Sequence, residues 1–249
     1  MPKLPRAPLQ EAIFEIRWEL EIDPSGNQQL DTGYALAQGK LQEIVRNHFP
    51  VYKRRVPHGI PDQLLQYQTV NQFWSGEDTW PVLQLGPGIF TVNDTDKNYD
   101  WGNSYLPLIA NALDWIHSAY DGRLMINVAS LRYIDSVTLK DYDFDGEWQV
   151  FIDKHFNFNF VNNFNPRGTL KRVHFDQYFE MEEESTLNIS MSNGKYRKTD
   201  QDALIWQTAV IKAAKFEKDT LLSWVEKAHT VTSDLFKEMT KPHFYASFQ

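Results

Sequence analysis

The chain has 249 residues, 42% hydrophobic and 23% charged, with a net charge of −8 and no cysteine. That much apolar chain fills a core, which excludes a disordered or fibrous protein; the missing cysteines exclude a disulfide framework, Cys-ligated metal sites and thiol catalysis. With 25 Lys and Arg against 33 Asp and Glu, the bulk basic face of a nucleic-acid-coating protein is absent.

Lys3 and Arg6 are followed by no apolar run of the kind a secretory signal needs, and no stretch approaches the length of a membrane span. The expectation is a soluble cytoplasmic protein with no membrane association of its own. The short basic clusters, Lys53-Arg54-Arg55, Lys171-Arg172 with His174, and Lys195 with Arg197-Lys198, read as solvated strand ends, so nucleic acid is not expected as the main ligand.

Residues 11–22 alternate strictly. Ile13, Glu15, Arg17, Glu19 and Glu21 fall on one side, and Phe14, Ile16, Trp18, Leu20 and Ile22 on the other, which predicts a half-buried strand. Turn residues at 23–27 break it, and Asp31 opens an amphipathic helix that ends before Pro50. Strands are expected over 64–74, 81–85 and 89–93, the last two joined by a tight turn at Gly86-Pro87-Gly88. A long helix follows over 100–120, with Pro107 in its first turns.

After Asp121-Gly122, residues 124–139 form the most apolar strand pattern, which predicts a central strand covered on both faces. Helical spacing returns over 146–156, strand patterns over 169–181, 186–191 and 203–214, and a closing helix over 217–240. Residues 157–166 read as a surface loop. Each half thus runs strand, helix, three strands, helix. The expected fold is α+β: two similar units, 1–121 and 122–249, in one compact body with a mainly antiparallel sheet and no linker.

Asp141, Asp143, Asp145 and Gly146 match the first half of a calcium loop, but the twelfth position is Ile152, which cannot ligate, so an acidic turn before a helix is expected and no metal site. The seven histidines have no zinc-binding spacing, and His117 and His229 read as ordinary helix residues. No nucleophile elbow or phosphate loop is present, so no catalytic residue and no cofactor are assigned.

Two features stand out as binding candidates. Arg132 lies in a strand whose neighbours are apolar, and a buried guanidinium needs a carboxylate; Glu15 or Glu19 on the first strand is the expected partner, with Arg17 and Tyr133 nearby at the seam between units. The end of the chain carries Phe244, Tyr245 and Phe248, read as a solvent-facing aromatic tail suited to a partner.

Four segments in order, Ala7 to Arg17, Gln84 to Pro87, Tyr99 to Trp101 and Leu131 to Asp135, resemble a sporadically distributed bacterial family of uncharacterised proteins close to this length. Asp135 stands where Asn is usual, and Tyr99 and Trp101 are one residue closer than expected. The resemblance implies no catalytic residue; the patchy occurrence implies accessory genes such as antiphage defence or toxin–antitoxin modules. The resulting expectation is a non-enzymatic module that engages a protein partner, with an oligomer compatible. The alternative is a small-ligand or nucleotide-binding protein, or a phosphoryl-acting enzyme, that uses the seam.

Overall fold

The computed structural model describes residues 4–22, 26, 29–95, 97–160, 163–165, 167–196 and 199–249. Lys3, Arg197, Lys198, most of the turn at 23–27, and residues 161, 162 and 166 of the expected loop lie outside these. Strand β1 (Leu9–Trp18) is followed by a short hairpin, β2 (Glu21–Ile22) and β3 (Gln29–Leu30), and by helix α1 (Tyr34–Val45). Four strands then run β4 (Val51–Arg54), β5 (Asn71–Gly76), β6 (Thr79–Gly86) and β7 (Ile89–Asp94). A π turn over Trp101–Tyr105 leads into α2 (Leu106–Ala119). The second half holds β8 (Ile126–Thr138), α3 (Trp148–His155), β9 (His174–Glu180), β10 (Ser185–Tyr196), β11 (Gln201–Lys212), α4 (Lys218–Met239) and α5 (Pro242–Ala246).

The α+β class holds: nine of these strands form one antiparallel sheet in the order β4-β5-β6-β7-β1-β8-β11-β10-β9. The first half has four sheet strands after its helix, not three. The extra one, β4, is four residues long and holds too little pattern to be read from sequence. The antiparallel pair β1–β8 sits at the middle, with Phe14 opposite Leu131 and Ile13 opposite Arg132. The same order of neighbours runs outward on both sides of that pair.

Strand alternation divides the sheet into two faces. Ala12, Phe14, Ile16 and Trp18 of β1, Phe90 and Val92 of β7, Leu131 and Tyr133 of β8 and Val210 of β11 point to one side, and all belong to a core completed by α1, α2 and the first half of α4. A second core gathers Val137, Leu204, Trp206, Ile189 and Met191 from the sheet with Trp148, Phe151 and Ile152 of α3, Met239 of α4, and Phe244 and Phe248. Both lie on the helix-covered face.

Among the described residues the opposite face carries no helix. It holds Glu11, Glu15 and Arg17 beside a chain of hydrogen-bonded side chains: Asn93 donates to Glu11 (2.7 Å), Thr91 to Asn93 (2.6 Å), Gln84 to Thr91 (3.3 Å) and Gln72 to Gln84 (2.9 Å). Asn93, Thr91 and Gln84 are buried among their neighbours on this face, so their pairing replaces hydrogen bonds to water. Strand β8 is central but covered on one side only: Arg132, Ile134 and Ser136 are half-buried on the open face. The expected two-sided burial is corrected, because Ile134 makes the sequence look continuously apolar although the burial alternates.

The turn at 86–88 has a clear physical cause. A Cβ at Gly86 would overlap the Gln68 carbonyl oxygen, and Gly88 sits at φ +76°, so glycine is required at both. One carboxylate oxygen, Asp31 Oδ2, anchors this region by accepting from the Gly88 amide (2.9 Å), Trp18 Nε1 (3.0 Å) and the Tyr120 hydroxyl (2.8 Å). Among the described residues no helix is long and apolar enough to cross a membrane.

Candidate functional site

A cavity of about 150 Å³ lies on the helix side of the β1–β8–β11 strands, where the two cores meet. Its floor is Leu9, Tyr133, Asp135 and Thr208; its walls are Tyr99, Asp100 and Trp101 ahead of α2, and His229, Thr232, Ser233, Phe236 and Lys237 along α4. Tyr245 of α5 and the segment holding Leu4, Ala7 and Pro8 close the remaining side.

The π turn positions one wall. Asp100 caps it by accepting from the Asn103 amide (2.9 Å), and the local widening presents Tyr99 and Trp101 to the sheet. Trp101 stacks on the His229 ring, with centroids 3.8 Å apart and planes 11° from parallel. The Tyr99 and Tyr133 hydroxyls are 2.9 Å apart, and the Tyr133 hydroxyl is 2.9 Å from His229 Nδ1. Burial pushes the His229 imidazole down to about 4, so near neutrality it is uncharged and Nδ1 can accept from Tyr133, which in turn can accept from Tyr99. Burial also raises both phenols well above their ordinary value, and they serve as neutral hydrogen-bonding groups.

Asp135 is different. It follows Tyr133 by two on β8, so the alternation carries it onto the covered face, where it is 5% exposed. No hydrogen bond or ion pair to it is formed among the described residues, and burial alone pushes its carboxyl up to about 7. A buried carboxylate without a partner is costly, and such groups concentrate where a ligand supplies what the fold does not.

The candidates chosen from the sequence do not converge here. Arg17 and Arg132 point to the open face and Tyr133 to the covered one, so the three form no common seam site. Glu15 is taken by Arg17, two residues along the same strand, at 2.8 Å, and Arg132 pairs with neither Glu15 nor Glu19. The reason is register: Ile13 lies opposite Arg132 and Ser130 opposite Glu15. The tail is also not solvent-facing. Phe244 and Phe248 are buried against Trp206, Phe156 and Phe236, the Arg6 amide donates to the Phe248 carbonyl (3.0 Å), and only Tyr245 reaches the cavity.

Asp141 accepts from Thr138, and Asp145 accepts from the Glu147 amide (3.1 Å) before α3, so this acidic stretch works as a turn. Among the described residues no group of three or more His, Cys, Asp or Glu side chains could hold a metal. The residues that sequence reasoning passed over are Asp135 and His229. The available signal was a carboxylate in register with Leu131 and Tyr133, and a histidine beside the α4 stripe of Val225, Ala228 and Thr232.

Family models, curated proteins and solved structures yield no match to this chain.

Proposed function

We propose that the protein is a binding module for a small organic cation, which it holds in the cavity between the two cores. The observation that carries this reading is the buried Asp135 carboxyl facing that cavity with no partner among the described residues. Aromatic rings at Tyr99, Trp101, Tyr133, Phe236 and Tyr245 surround it. A carboxylate among aromatic faces is the arrangement that recognises ammonium, amidinium or guanidinium groups, through one charge pair and several cation–π contacts.

An anionic ligand fits poorly. Among the described residues the one cation lining the cavity, Lys237, is exposed, His229 is neutral, and the two strand arginines are on the far side of the sheet. The reading as a nucleotide- or phosphoryl-directed site therefore loses its residues. The reading as a protein-binding module loses its aromatic tail, which is core. The resemblance to accessory bacterial proteins is compatible with a ligand sensor as well as with a partner.

Calorimetric titration with benzamidinium, guanidinium and tetramethylammonium chlorides at pH 8 tests the proposal. At least one cation should bind, the neutral isostere benzamide should not, and Asp135→Asn should weaken binding at least tenfold. Binding should also tighten as pH rises through about 7, because the carboxyl must ionise first. Equal binding of benzamide and benzamidinium, or an unaffected Asp135→Asn variant, would overturn it.

A further inference from the structure

The two edges of the sheet are built differently. Strand β4 is short, follows Pro50, and carries Lys53, whose ammonium is held by Glu77 (2.9 Å) and Asp78 (2.6 Å); charge, proline and brevity are the ordinary means of blunting an edge. Strand β9 lacks the lysine, the proline and the brevity. It runs for seven residues, His-Phe-Asp-Gln-Tyr-Phe-Glu, without lysine or proline, and all its side chains except Phe175 are exposed, Tyr178 at 66% and Phe179 at 44%.

Its backbone is available as well. The Met181 amide donates to the Ser185 carbonyl and the Asn193 amide to the Val173 carbonyl, so odd-numbered residues direct their groups toward β10. By the alternation of an antiparallel ladder, the N–H and C=O groups of His174, Asp176, Tyr178 and Glu180 face outward.

The sequence of β9 matches itself when reversed. Antiparallel pairing centred on Gln177 sets His174 opposite Glu180 of a second copy, Phe175 opposite Phe179, Asp176 opposite Tyr178, and Gln177 opposite itself. A histidine meets a glutamate at both ends, and aromatic rings meet on the helix side. The four outward-facing residues become the hydrogen-bonded pairs, so the register that suits the side chains also suits the backbone. We propose that β9 is a homodimer edge, through which two copies of this chain join their sheets antiparallel about a twofold axis at Gln177. Strand pairing alone buries a modest area, which places the dimer among weak, concentration-dependent associations.

The chain is cysteine-free, which permits a direct test. At the axis, Gln177 and its copy form a non-hydrogen-bonded pair with Cα atoms about 4.5 Å apart, within reach of a disulfide. Gln177→Cys should therefore give a covalent dimer under mild oxidation. Glu180→Cys, whose copy would lie about 20 Å away along the strand, should cross-link at least tenfold more slowly. In light scattering, the native chain should move from monomer to twice that mass as concentration rises to 100 µM, and Gln177→Lys, which sets two ammonium groups face to face, should weaken association at least tenfold. Both positions are exposed, and unchanged melting would confirm intact folding. A chain that stays monomeric at 100 µM, equal cross-linking of the two cysteine variants, or a dimer insensitive to Gln177→Lys would each overturn the proposal.

Discussion

Outward from the β1–β8 pair, β7, β6 and β5 on one side correspond to β11, β10 and β9 on the other. The first set lies under two long helices, α1 and α2, whose Leu41, Val45, Ile109 and Ile116 pack with Phe14, Phe73 and Phe90. The second lies under the shorter α3 and α5 and the last turns of α4, and its core is dominated by rings: Trp148, Phe151, Phe156, Trp206, Phe244 and Phe248. Equal strand order with unequal helices leaves a gap where the two packings meet, and the cavity occupies that gap. Helix α4 spans the junction, giving Leu221, Trp224, Val225 and Ala228 to one core and Met239 to the other.

If α4 couples the two flanks, damage to either should unfold both. Phe14→Ala and Phe244→Ala, each at a fully buried ring, should cost about 3–5 kcal/mol in denaturant melts and keep a single transition. Two separated transitions in the Phe244→Ala variant would show instead that the ring-rich flank unfolds by itself.

Asp135 makes the junction respond to pH. The Asp135 carboxyl titrates near 7 in the folded chain against an ordinary value near 4 unfolded, so the unfolded state ionises first. Its penalty is absent below about pH 4, grows as pH rises from 4 to 7, and is complete above 7. Asp135→Asn should therefore stabilise by about 3 kcal/mol at pH 8, seen as a rise in melting midpoint on the order of 5–10 °C, and have little effect at pH 4. His229 works in the opposite sense: its neutral ring contributes stability that is lost as pH falls from about 6.5 toward 4.

Within the first flank, Asp31→Ala strands three donors and should cost about 2 kcal/mol, measured by the same melts. The smallest effect is expected on the open face. Arg17→Ala removes a half-exposed pair with Glu15 and should change stability by less than about 1 kcal/mol.

Much of this architecture is written locally. The alternation of β1, the stripes of α2 and α4, and the glycines at 86 and 88 each follow from the spacing of a few neighbouring residues. What escapes the sequence depends on distant contacts. The π turn at Trp101–Tyr105 is hidden inside an ordinary helical pattern, and the tail reads as exposed because the aromatic cluster that buries it comes from β11, α3 and α4. The cavity is the extreme case: Tyr133 and His229 are 96 positions apart, and only the folded sheet brings them to 2.9 Å. Asp135 left a trace as a charge in an apolar register, and His229 as a histidine beside the α4 stripe.

The oxygen of Asp31 ties together β1, the β6–β7 turn and the residue after α2. Breaking any one of those bonds unbalances the other two, so these segments have no independent way to open. Deuterium should therefore enter the Gly88 amide, which sits in a buried turn, only when the whole flank comes apart, which makes that one proton a slow clock for global unfolding.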